Sequence, residues 1–223
     1  FMEPIPFDKR SGKIWFNGEL INWPDVKIHI LNHGLHYASC VFEGERVYDG
    51  EIFKLEEHTE RLFHSASRLG FKIPYSQESI NKACKDIVKI QNVKNGYVRP
   101  VAWRGSEMMA ISAQKTKIHT AIATWEWGSY FDPNLKLKGI KLNISKWRRP
   151  APNTIPWDTK ASGLYMICTL SKHEAEKDGF TDSLMLDYQD NIAEATGANI
   201  FFKNSDGELH TPIPDSFLNG ITR

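Results

Sequence analysis

Two turn signals govern the start of the chain. Asn17-Gly18 separates Ile14-Trp15-Phe16 from Glu19-Leu20-Ile21, and Asp49-Gly50 separates a run from Phe42 to Tyr48 from Glu51-Ile52-Phe53. Either dipeptide supplies the positive φ angles of a type I′ turn, whose twist suits an antiparallel strand pair. The spacing therefore predicts two β-hairpins. Helical periodicity follows. Residues 58–69 read as a helix stopped by Gly70. Ser76 is placed to cap another, whose Ile80, Cys84, Ile87 and Ile90 recur at helical spacing. Strands are predicted over 97–103 and 118–125. Hairpins, helices and long strands together specify an α+β architecture.

The pattern breaks at Gly128-Ser129-Tyr130-Phe131-Asp132-Pro133-Asn134. This divides the chain into an N-terminal α+β domain over 1–127, a linker over 128–137 and a second domain over 138–223. The second domain opens with a strand over 140–144. A helix then buries Leu164, Ile167, Cys168, Ser171 and Ala175 and ends at Gly179. Strands follow over 183–187 and 198–203. Phe1 before Met2 reads as a residue added ahead of a natural start.

Charge and cysteine content exclude several function classes. A formal net charge of +1 leaves no electrostatic footprint for nucleic acid. No apolar stretch approaches the length of a membrane span. The three cysteines, Cys40, Cys84 and Cys168, are widely spaced and odd in number, which fits a reducing compartment better than a disulfide framework. The expectation is a soluble, cytoplasmic protein. His29, His33 and His36 match no tight zinc spacing, and no metal is expected.

Chemistry concentrates in two runs. Lys160 lies in Asn153-Thr154-Ile155-Pro156-Trp157-Asp158-Thr159-Lys160-Ala161-Ser162-Gly163, and Glu194 opens Glu194-Ala195-Thr196-Gly197-Ala198-Asn199. A lysine can form a Schiff base with a carbonyl cofactor, and a glutamate can hold the protonated nitrogen of a pyridine ring. That pair is the minimum a protein contributes to pyridoxal phosphate chemistry. Either residue alone would more often be a solvated surface charge.

These runs, with His36-Tyr37, Val41-Phe42-Glu43-Gly44, His58-Thr59-Glu60-Arg61-Leu62, Tyr97-Val98-Arg99-Pro100 and Leu218-Asn219-Gly220-Ile221-Thr222-Arg223, occur in collinear order. From Ile14 to Arg223 the chain resembles the fold-type-IV pyridoxal phosphate enzymes, the class IV aminotransferases, and most closely the branched-chain amino acid aminotransferases. The resemblance implies a two-domain fold whose second domain is C-terminally incomplete here. It implies pyridoxal 5′-phosphate as cofactor, amino acids and 2-oxo acids as substrates, and a homodimer or higher homo-oligomer.

It also implies roles. Lys160 would carry the cofactor and move the proton at the substrate Cα. Glu194 would face the ring nitrogen and Tyr165 the ring hydroxyl. Arg61 would grip the phosphate, with Gly220, Ile221 and Thr222 as its cradle at a helix N-terminus. Tyr37, Phe42, Trp127 and Tyr130 would wall an apolar side-chain pocket, with Tyr97 and Arg99 on the carboxylate side.

Two features depart from the family. Glu45 stands where an apolar residue or threonine is usual, and Arg104-Gly105 is similar to the sister D-amino acid aminotransferases and aminodeoxychorismate lyases. Those enzymes, and a catalytically silent fragment that keeps the fold, are the alternatives.

Overall fold

Asn17 and Gly18 take φ angles of 51° and 96°, and they join β1 (Lys13–Phe16) to β2 (Glu19–Asn22) as the expected hairpin. The structure is a computed structural model that describes residues 5–128 and 137–223. The chain divides into two compact units, residues 1–128 and 129–223. Most of the expected linker lies outside the described residues, as does Tyr130.

The first unit is built on two nine-residue strands, β6 (Gly96–Arg104) and β7 (Ile118–Glu126), paired antiparallel along their whole length. The hairpin β1–β2 adds to β7. On the other side, β6 pairs with two short strands, β3 (Cys40–Phe42) and β4 (Glu45–Tyr48), and β5 (Glu51–Ile52) closes the edge. The second hairpin is therefore shorter than the sequence suggested. Phe42 belongs to a separate strand, because the chain breaks at Glu43-Gly44.

Two helices cover one face of this sheet. The first, α2 (Leu55–Arg68), follows the short α1 (His33–Tyr37) and begins three residues before its expected start; Gly70 follows its end at φ 72°. The Ser76 hydroxyl accepts the backbone N–H of Ser79 at 3.2 Å and caps α3 (Gln77–Ile90). Such a cap contributes about 1 kcal/mol. Ile80, Cys84 and Ile87 are buried against Val47, Leu55, Val98 and Ile122. Ile90, the last residue of the predicted stripe, is exposed because the helix ends there.

Strand alternation sorts the side chains. Val98 and Ile122 face the helices, so Tyr97, Arg99, Val101 and Trp103 point to the opposite face. The β4 pairings Glu45↔Val98 and Arg46↔Tyr97 put Glu45 on the helix side.

Glu45 is fully buried there, and neither carboxyl oxygen has a hydrogen-bond partner among the described residues. Burial pushes its carboxyl well above the usual range; Glu43 and Glu56 add to this, and Arg61 opposes it. The folded state thus keeps a proton that the unfolded chain releases near pH 4.5. Stability is greatest below that pH and falls as pH rises towards the folded value, by at most about 1.4 kcal/mol per pH unit. We expect Glu45→Gln to flatten this decline and to melt above the wild type at pH 8. Parallel melting curves from pH 5 to pH 8 would refute it.

The second unit is a β-α-β crossover with one further strand. Strand β8 (Leu142–Arg148) runs parallel to β9 (Asp182–Leu186), and β10 (Ile192–Ala195) pairs antiparallel with β9. The β8 strand starts two residues later and ends four residues later than the sequence suggested. Between β8 and β9, a 3-10 turn (Ser162–Tyr165) leads into α4 (Met166–Lys177). Leu164, Cys168, Ser171 and Ala175 are buried, as the stripe requires, while Ile167 is half-buried. Ser171 locks α4 to β8 through its hydroxyl, 2.6 Å from that of Ser145. Of the strand expected over 198–203, only Phe202–Lys203 forms, as β11, paired with β12 (Leu209–His210).

Candidate active site

In the second unit the crossover ends its loop at Lys160. The Lys160 Nζ donates to the Tyr165 hydroxyl at 2.8 Å and lies 5.1 Å from the centre of that ring. The 3-10 turn makes this contact possible, since it brings residue 165 back over residue 160. Glu194 sits on β10, 9% exposed. Its carboxyl is pushed up to about 7 by burial; Arg149 and then Lys160 pull it back down.

The arginine was not anticipated. Arg149 directly follows β8 and is 3% exposed. Its Nε lies 3.2 Å from Glu194 Oε1, but the N–H is not directed at that oxygen, so the contact is an ion pair and not a hydrogen bond. Its Nη1 donates to the Leu164 carbonyl at 3.3 Å and to Cys168 Sγ at 3.4 Å. Burial pushes the Cys168 thiol up, away from the reactive range. In the sequence Arg148-Arg149 looks like a solvated basic pair. Only Arg148 is one; it meets Asp190 at 2.5 Å on the surface.

The run after Glu194 has a structural task. Ala195 and Ala198 close a turn, and Thr196 donates to Asp182 at 2.6 Å. Asn199, bridged to Glu194, then holds the distant 218–220 segment: its amide donates to the Leu218 carbonyl at 3.1 Å, and its Oδ1 accepts the Gly220 N–H at 3.0 Å. A Cβ at position 220 would meet that oxygen at 2.1 Å, so only glycine allows the approach. Gly220, Ile221 and Thr222 are thereby tied to the strand that carries Glu194. They form a turn closed by Arg223 N–H on the Gly220 carbonyl. No helix start lies among them.

The first unit brings Phe42, Tyr97, Arg99 and Trp127 together on the face opposite α2 and α3, and leaves Tyr37 apart on α1. The Arg99 guanidinium lies 4.6 Å from the Phe42 ring centre and 5.2 Å from that of Tyr97. Tyr97 meets Trp127 edge-on at 5.1 Å. A Cβ at Gly44 would stand 1.8 Å from the Tyr97 hydroxyl. Tyr37 is half-exposed and stacks on His33 at 4.6 Å. Arg61 grips Glu43 with two hydrogen bonds, Nε to Oε1 at 2.7 Å and Nη2 to Oε2 at 2.8 Å; His58 Nδ1 adds a contact to Oε2 at 2.6 Å. A buried pair of this kind fixes the arginine in place.

Arg104, the residue shared with the sister enzymes, is spent on structure. Its guanidinium donates to the Ala113 carbonyl at 3.1 Å and to the Gly70 carbonyl at 2.7 Å. The three histidines engage the backbone: His33 with the Ala110 carbonyl, His36 with the Ile30 carbonyl, His29 with the Leu31 N–H. Among the described residues no group of three potential ligands could hold a metal ion, and no helix is long and apolar enough to cross a membrane.

An amine backed by a phenol, beside a buried carboxylate that an arginine keeps partly ionised, fits the donor set of a pyridoxal phosphate enzyme. The comparisons agree. Residues 40–223 match the amino-transferase class IV family. A probable branched-chain-amino-acid aminotransferase of Rickettsia felis is 45% identical over 100% of this chain and 75% of its own length. The branched-chain-amino-acid aminotransferase of Pseudomonas aeruginosa is 41% identical over 96% of this chain and 71% of its own. A crystal structure of a T.th. branched-chain amino acid aminotransferase with pyridoxamine 5′-phosphate superposes with a TM-score of 0.91, at 34% identity, over 96% of this chain and 71% of that one. This chain belongs to the class IV aminotransferases.

Proposed function

We propose that the protein transfers the amino group of leucine, isoleucine or valine to 2-oxoglutarate, with pyridoxal 5′-phosphate as cofactor. The observation that carries this is the Lys160–Tyr165 contact with Glu194 in the same unit, in a chain 45% identical to a probable branched-chain enzyme. When bound, the cofactor supplies a carbonyl for amine exchange and a ring that accepts electrons from the substrate Cα. The rest falls to side chains. Lys160 takes and returns the proton at Cα. Tyr165 orients that amine. Glu194 keeps the ring nitrogen protonated. Arg61, preset by Glu43, binds phosphate, and the 220–222 turn offers the Ile221 and Thr222 N–H groups, that of Gly220 being taken by Asn199. Phe42, Tyr97 and Trp127, with Tyr37 and Tyr130, give the apolar side-chain wall, and Arg99 supplies positive charge for a carboxylate. Arg104 engages backbone carbonyls, which leaves nothing that favours the sister enzymes. The holoenzyme should use leucine far better than D-alanine as amino donor. Preference for D-alanine would overturn the substrate assignment.

The assembly proposed is a homodimer at least. Ile28, Ile30, Leu31, Leu35, Met109 and Ile111 are exposed, and the His33–Ala110 contact at 3.0 Å ties the two segments that carry them. An apolar face of this kind marks an interaction site. Light scattering that finds a stable, active monomer at micromolar concentration would reject it. Three free cysteines, two of them buried, support a cytosolic location.

A further inference from the structure

We propose that Arg149 is a positioning residue: its fixed positive charge faces the Glu194 carboxylate, holds it in place and favours its ionised form, so that a proton shared between Glu194 and a pyridine nitrogen moves towards the nitrogen. The inference rests on the reading of Glu194 as the partner of that nitrogen.

The geometry leaves Arg149 little else to do. It is as buried as the core, and Glu194 is the carboxylate within ion-pair distance of it among the described residues, at 3.2 Å. A guanidinium does not titrate in the working range, so its field is constant. Lys160 is the other charged group that draws the Glu194 carboxyl down, and its action is conditional. Lys160 loses its free amine when it carries a cofactor. The Cys168 thiol, at 3.4 Å from Arg149, is held neutral by burial. Asp182 on β9 is engaged by Thr196. Tyr165 faces Lys160.

Burial alone would make Glu194 a strong base, and a strong base keeps the proton for itself. A neutral ring nitrogen is a poor electron sink. The fixed cation makes the carboxylate a weaker base, and the proton moves to the ring. Nothing else changes in this transfer: one O–H bond is exchanged for one N–H bond. The Leu164 carbonyl and Cys168 Sγ aim the guanidinium, which ties this balance to the first turn of the helix after Lys160.

The test uses the full-length holoenzyme loaded with pyridoxal phosphate labelled with nitrogen-15 in the ring. Its nitrogen resonance reads ring protonation directly. The wild type should show a protonated ring at neutral pH. Arg149→Met should shift the resonance towards the unprotonated value, and Arg149→Lys should restore it in large part. Turnover should fall by about tenfold or more in Arg149→Met, with the Michaelis constant for leucine changed by no more than about threefold. The double variant Arg149→Met/Glu194→Gln removes both charges and so keeps the buried site neutral if Arg149→Met alone does not fold. If Arg149 acts through Glu194, adding Arg149→Met to Glu194→Gln should cost less than about threefold further, whereas a purely structural role costs the same in both backgrounds. A protonated ring in Arg149→Met, or additive losses in the cycle, overturns the proposal. A protonated ring in Glu194→Gln instead removes Glu194 from the nitrogen, a failure of the underlying reading that the same spectrum distinguishes.

Discussion

Lys160→Ala is expected to abolish transamination and leave the fold intact. Lys160 is half-buried in a loop and packs through its amine on Tyr165, so truncation opens space near the surface and not in a core. The chemical loss is larger than the structural one. In the proposed mechanism two functions sit on one nitrogen, attachment of the cofactor and movement of the Cα proton. Positioned proton transfer alone contributes on the order of 100- to 10,000-fold. Borohydride reduction of the holoenzyme followed by peptide mapping provides the check. A pyridoxyl label on any other lysine removes Lys160 from its role.

Glu194→Gln is expected to lose much more turnover than cofactor. The amide is nearly isosteric and keeps the fold, but it cannot hold a proton on a ring nitrogen. In the proposed site the phosphate is held by Arg61 and the 220–222 turn, and not by this carboxylate. Removing one preorganised charge partner from a water-poor site costs on the order of 100-fold in turnover. That corresponds to about 2.7 kcal/mol of transition-state stabilisation. Equilibrium binding of pyridoxal phosphate, measured beside single-turnover rates, separates the two effects. Near-wild-type turnover would take Glu194 out of the site.

What the sequence made legible was what local rules decide. The Asn17-Gly18 turn, the Ser76 cap and the Gly70 stop each follow from backbone preferences of a few neighbouring residues, and each formed as expected. Lys160 and Glu194 were singled out because their flanking runs match a family, and the structure places both in the second unit. What stayed hidden depends on tertiary packing. Arg149 differs from Arg148 only in the side of the chain it leaves, and nothing in the pair says which one is buried. Glu43 looked like part of a strand, but the chain breaks beside it so that its carboxylate can meet His58 and Arg61. The strand expected over 198–203 gave way at Asn199, whose side chain is used to hold the 218–220 segment. The departure at Glu45 was visible; that its carboxyl sits under the sheet without a hydrogen-bond partner among the described residues was not.

The glycine at position 44 has a consequence for reshaping donor range. The Tyr97 hydroxyl stands where a methyl group at residue 44 would be, 1.8 Å away. The position of the Tyr97 ring thus depends on the absence of a side chain at residue 44. Even alanine at 44 would have to displace the phenol, and Tyr97 in turn leans on Trp127 and lies under Arg99. A methyl group there would press on a ring that both Trp127 and Arg99 contact. If Tyr97, Trp127 and Arg99 wall the substrate site as proposed, a library that includes residue 44 would move them without changing the identity of any, a lever that directed evolution confined to the wall itself would never sample.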